Sequence, residues 1–190
     1  IKRMLAYSSI AHAGYLLVAL VALNRTGAGG LLFYLFQYTL STIGAFGVIM
    51  ALSAANGDGR ETLELSEYDG LGSRRPVLGL VLALFMFSLA GLPPTAGFMG
   101  KVYIFSAAVE AGYTWLVVIA VLNSVVAVTY YLGVVVRIFM RESRTEEAEE
   151  TPAGLRMGVL TAARLVIAVW GTLQLGVFPS GALSLAKLAA

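Results

Sequence analysis

Cysteine is absent from this 190-residue chain, which excludes disulfides, thiolate metal sites and cysteine-ligated iron–sulfur clusters. Histidine occurs once, as His12, so no pair of imidazoles can ligate a haem. Charge is scarce as well: Asp, Glu, Lys and Arg make up 13% of the residues, about half the share usual in soluble domains. The residues present instead are apolar, 58% by count, and the plain reading is an all-α polytopic membrane protein. A formal net charge of +2, with no basic patch interleaved with aromatics, gives no basis for nucleic-acid binding. Also missing are an HExxH zinc pair, a phosphate loop ending in GK[ST] and a GxSxG elbow. Nothing in these residues points to redox chemistry within the chain, and neither a metal nor a resident cofactor is expected in it.

The chain opens IKRMLAYSS, without an initiator Met, and no small-residue cleavage site follows a short apolar core. The expectation is that residues 1–190 are the C-terminal transmembrane part of a longer subunit.

Five apolar segments, 4–23, 31–55, 76–111, 113–140 and 155–178, approach or exceed the roughly 20 residues that cross about 30 Å of hydrocarbon as a helix. No sustained polar/apolar alternation supports barrel strands. The third segment, PVLGLVLALFMFSLAGLPPTAGFMGKVYIFSAAVEA, is the most informative. Gly91, Pro93, Pro94 and Gly97 interrupt it near its middle, where a proline pair removes amide donors and clashes with the preceding turn. Lipid tolerates irregular backbone only where protein or a water-filled cavity surrounds it. Just past the break stands Lys101, and Glu110 lies too far along to be its helical i+4 partner. A span broken mid-membrane beside a charge is the pattern of an ion-transport site. Lys101 is therefore the expected proton carrier, since lysine can load and release a proton where arginine stays charged. The opposing reading is a lysine that snorkels along its stem to the outer interface.

His12, among Ser8, Ser9, Ala11, Ala13 and Gly14, is a candidate proton relay because imidazole titrates near neutrality. A structural hydrogen bond between close-packed helices accounts for it equally well. The second span carries Gln37, Tyr38, Thr39, Ser41 and Thr42, and the fourth carries Asn123, Ser124, Thr129, Tyr130 and Tyr131. These groups either bond helix to helix or line a hydrated cavity. The loop 56–75 reads as at most a short surface helix limited by GDG and GLG, and 141–154 as a charged, solvated linker. Lys2 marks a boundary or reaches into the bundle; Arg164 snorkels or pairs with an acid elsewhere; Glu110 is a boundary residue.

Orientation follows from Lys and Arg near the span ends. One side collects Lys2, Arg3, Arg60, Arg74, Arg75, Arg137, Arg141, Arg144 and Arg156, and the other only Arg25 and Lys187. The first side is expected to be cytoplasmic, which puts the C-terminus outside.

Two stretches, IKRMLAYSSIAHAGYLLVAL and SLAGLPPTAGFMGKVYIF, closely resemble the antiporter-like membrane subunits of proton-translocating NADH:quinone oxidoreductase, respiratory complex I. The resemblance extends over nearly the whole chain and is weakest in the polar loops. GFMGKVYIF looks like the form found in the bacterial subunit N. M-type subunits typically carry glutamate where Lys101 stands, and L-type subunits have a long lateral helix that a short tail after residue 178 disfavours. The resemblance implies the last five transmembrane helices of an antiporter-like fold built from inverted repeats, with one discontinuous helix. It also implies that Lys101 is the key lysine and, less directly, that His12 lies on a polar axis feeding it. The implied function is coupling of quinone reduction to proton pumping in a bacterial inner membrane. FMN, iron–sulfur clusters and quinone would belong to partner subunits, and other membrane-arm subunits of the complex would be its neighbours. A cation/proton antiporter subunit shares this fold and is the alternative, as is a non-conducting scaffold of the membrane arm.

Overall fold

The computed structural model describes residues 1–22, 24–55, 64–142 and 158–189. The described residues are almost wholly helical: α1 (Lys2–Ala22), α2 (Arg25–Ala55), a 3-10 turn (Leu65–Tyr68), α3 (Leu71–Arg74), α4 (Pro76–Ala90), α5 (Ala96–Glu110), α6 (Thr114–Met140), α7 (Val159–Val177) and α8 (Ser180–Ala189). By length and composition α1, α2, α6 and α7 are each long and apolar enough to cross a membrane. The fifth crossing is made by two halves. Helices α4 and α5 have 15 residues each, about 22 Å at 1.5 Å per residue, so neither half spans the hydrocarbon alone.

The break has a local cause. Pro76 starts α4 at the position where a missing amide costs nothing. At the other end Gly91, at φ 81°, takes the left-handed conformation that only glycine adopts without strain. It closes α4 in a Schellman motif, with Gly91 N–H donating to Ser88 O and Leu92 N–H to Phe87 O, both 3.0 Å. Pro93 and Pro94 follow, joined by a cis peptide bond, and the helix resumes at Ala96. The unwound stretch is therefore 91–95, not 91–97. Gly97 lies inside the first turn of α5, and its reason for being glycine is packing: a Cβ there would overlap the Ser88 carbonyl.

Helix α2 is the hub, packing against α1, α4, α5, α7 and α8. Close approach is bought with small residues, as at Gly44, which lies flat on the Phe85 ring. One apolar core joins α2, α4 and α6 through Val48, Ile49, Leu82, Phe85, Met86, Tyr131 and Ile138. A second joins α1, α2, α5 and α6 through Tyr15, Tyr34, Ile104 and Ala120. The outer faces of α6 and α7 expose Val118, Ile119, Leu122, Val125, Val166, Ile167 and Trp170, the apolar surface expected of a lipid-facing helix.

Two expectations are revised. Helix α2 starts at Arg25, six residues before the apolar run at 31, because lipid-crossing length does not limit where a helix can begin. The short tail after 178 folds as α8, packed on α2. The segment 64–75 is pinned rather than lying on the surface: Tyr68 and Leu71 are buried in the first core. Gly70 N–H donates to Arg137 O (3.1 Å), and Arg137 pairs with Asp69 at 3.2 Å. Burial raises the Tyr68 phenol above its ordinary range, so it stays neutral. Residues 56–63 and most of the 141–154 linker, with Arg60, Arg144 and Arg156, lie outside the described residues.

Candidate functional site

Lys101 is on the second turn of α5, and its side chain folds back across the break. The residue is 5% exposed. Nζ donates to Ala90 O at 2.7 Å and to Ser124 Oγ at 2.6 Å. Ala90 is the last residue of α4, so its carbonyl is one that the helix cannot satisfy and that carries the negative end of the helix dipole. The same ammonium lies 4.9 Å from the Tyr15 ring centroid, within the range of a cation–π contact. Gly91 completes the fit, since a Cβ there would sit 2.9 Å from Nζ. Among the described residues no carboxylate pairs with Lys101; its partners are a backbone carbonyl, a hydroxyl and an aromatic face.

This set distinguishes protonation states. Ser124 can accept from an ammonium or donate to a free amine, whereas the Ala90 carbonyl can only accept. A hydrogen bond therefore survives proton release on the Ser124 side and weakens on the Ala90 side.

His12, 2% exposed, joins three helices. Its Nδ1 is 2.7 Å from Tyr34 Oη on α2, and its Nε2 is 3.1 Å from Tyr131 Oη on α6. Tyr38 stacks on the imidazole at 4.5 Å between centroids. Each phenol can donate or accept, so either tautomer of a neutral His12 is fully bonded. The Tyr15 ring lies edge-on to His12 and also faces Lys101. Asn123 Nδ2 donates to Tyr15 Oη at 3.2 Å. One polar cluster thus runs Tyr131–His12–Tyr34 with Tyr15 between His12 and Lys101.

The other sequence candidates separate by face. Gln37 and Ser41 are buried, and Ser41 Oγ is 2.7 Å from Ser88 Oγ just before the break. Thr39 and Thr129 are exposed and bond the carbonyls of Leu35 and Val126 on their own helices. Glu110 and Arg164 are exposed. Lys2 and Arg3 line a cleft of about 1050 Å³ with Asp69, Arg137 and Arg141, so the start of α1 and the end of α6 share one end of the bundle. Tyr15 and Tyr34 were not among the sequence candidates. Tyrosine is common in apolar helices, and only the buried hydroxyl's need for a partner hints at them. Among the described residues no group of three His, Asp or Glu comes together as metal ligands.

The family model described as NADH:quinone oxidoreductase/Mrp antiporter, transmembrane, matches residues 1–127. NADH-quinone oxidoreductase subunit N of Trichlorobacter lovleyi is 48% identical over 189 residues, covering 100% of this chain and 37% of that protein. The subunit N of Salinibacter ruber is 48% identical over 187 residues, covering 96% and 37%. This chain thus spans little more than a third of the length of these relatives. Among solved structures, a chain of respiratory complex I from Thermus thermophilus with bound aureothin matches with a TM-score of 0.76 and 39% identity, covering 97% of this chain and 39% of that one. A chain of the Mrp complex from a Dietzia species matches with a TM-score of 0.81 at 23% identity, covering 97% and 41%. That second likeness is one of fold alone.

Proposed function

The chain belongs to the NADH:quinone oxidoreductase/Mrp antiporter transmembrane family, and on that premise we propose that it moves protons as part of the membrane arm of an NADH:quinone oxidoreductase. The observation that carries this reading is Lys101, an amine buried at the unwound end of α4 with one partner indifferent to its proton and one that favours the charged form. Protonation and release at Lys101 is the elementary step. His12, with Tyr34 and Tyr131 on its two nitrogens, relays protons toward it by exchanging tautomers. Gly91, Pro93 and Pro94 hold the break open to the amine; Gly97 lets the two halves approach.

In this reading the positively charged end, with Lys2, Arg3, Arg74, Arg75, Arg137 and Arg141, faces the cytoplasm of a bacterial cell, and the C-terminus lies outside. NADH, FMN, iron–sulfur clusters and quinone are handled by partner subunits, and the electrostatic signal that drives Lys101 arrives from a neighbouring membrane subunit. The identities of 48% to subunit N proteins favour the oxidoreductase over a free-standing cation/proton antiporter, which shares the family model and the fold. Lys101→Ala in the assembled enzyme is the test. It should abolish or sharply reduce protons translocated per NADH oxidised while the complex still assembles; an unchanged ratio rules the role out.

A further inference from the structure

Gln37 and Thr172 are 1% and 0% exposed, and Gln37 Oε1 and Thr172 Oγ1 have no hydrogen-bond partner among the described residues. Burying a polar oxygen unpaired costs more than an ordinary hydrogen bond contributes, so two such oxygens call for an explanation. The contacts around them set both at the same level of the α2–α7 seam. Phe33 packs with Leu175, and Leu40 meets Gly171, so 33, 37 and 40 form one stripe of α2 facing α7. Gln37 falls between the first contact and the second, and Thr172 falls between the same two on α7.

The start of α5 closes the third side. Ala96 joins Phe33 and Leu175 in one cluster, and one turn on, a Cβ at Gly100 would meet Gln37 Cγ at 3.4 Å. The Thr95 hydroxyl donates to Leu92 O at 2.6 Å and makes no cap on α5. Phe98 N–H donates to Thr95 O at 3.2 Å, which leaves the amides of Ala96 and Gly97 as the ones at the start of α5 without an intrahelical acceptor. Two buried oxygens without a partner and the amides of Ala96 and Gly97 thus lie on the three helices that meet at the level of the break. A buried water with two to four polar partners is the usual occupant of such a place.

We propose that Gln37, Thr172 and the first turn of α5 hold an ordered water on the α7 side of the break, and that this water carries the proton route beyond the Lys101 cluster. Gln37 is three residues after Tyr34, whose hydroxyl bonds His12, and it packs on Gly100, the neighbour of Lys101. The water thus continues the polar groups of α1, α2 and α6 around the break to α7. Gln37 and Thr172 are positioning residues here. The inference rests on the proton-moving reading above.

The test uses the assembled complex. A density map that resolves other buried waters of this subunit should contain one about 2.6–3.2 Å from both Gln37 Oε1 and Thr172 Oγ1. Thr172→Val, equal in volume but lacking the hydroxyl, and Gln37→Met should each lower NADH-driven proton pumping several-fold, and Thr172→Ser should keep it. A purely structural role would not separate Val from Ser in that way. If Gln37→Met does not assemble, the Thr172 pair decides. Absence of the water, or native pumping in Thr172→Val, overturns the proposal. Native pumping in Thr172→Val with pumping lost in Lys101→Ala sinks only this site; native pumping in Lys101→Ala sinks the general reading, whatever the map contains.

Discussion

Lys101 is held by groups that differ in what they can do with a proton. A guanidinium at the same place would satisfy the Ala90 carbonyl and the Tyr15 face, yet it would never deprotonate. Lys101→Arg should therefore assemble with charge preserved and still lose pumping, measured as protons moved per NADH oxidised in vesicles. Pumping in that variant would mean that charge alone, not proton exchange, is what the position supplies. That Lys101 would stand out was legible in the sequence, because an amine inside an apolar run is expensive and rare, and the structure places it buried beside the break. Its partners were not. Ser124 is one hydroxyl among several on α6, and Thr129 on the same helix turns outward to bond its own backbone. Which hydroxyl faces the amine depends on helix rotation, and a helix apolar on nearly every face carries little record of its rotation.

At the scale of the element, the break works because its two ends are built differently. Helix α4 ends in a glycine-closed motif whose last carbonyl is left for Lys101, while α5 starts without a side-chain cap. The halves are held against each other by Gly97 on the Ser88 carbonyl. Gly97→Val should force them apart and cost about 1–3 kcal/mol, the usual range for overpacking. Thermal denaturation of the purified complex, or its yield from membranes, reads that loss; an unaltered midpoint would mean that the contact is slack. The prolines and glycines announced an interruption in the sequence. They did not say which of them unwinds the chain and which only allows contact, since glycine serves both purposes.

Across the whole molecule, α2 touches five other helices and brings His12, Lys101 and α7 to one level. The cationic side chains Lys2, Arg3, Arg137 and Arg141 gather at one end, with α3 and the half-buried pair of Asp69, just before α3, and Arg137 of α6 closing that end. If that end is cytoplasmic, Arg141→Cys should react with an impermeant thiol reagent from the cytoplasmic side only, and Tyr113→Cys from the outer side only. The reverse pattern would invert the proposed orientation. Both positions are exposed, so failure to label at all is not expected in detergent.

Composition and hydropathy were enough for the membrane class, the helical spans, the broken third span and the presence of an amine beside its break, because lipid imposes length and polarity rules that act along the chain itself. Residue contacts between helices followed no such rule. The bond of His12 to two tyrosines, the burial of Tyr68 and Asp69, the packing of α8 on α2 and the meeting of Leu40 with Gly171 join residues far apart in sequence. Their geometry was decided only when the helices packed, by the fit of small residues against large ones and by the need of each buried polar group for a partner.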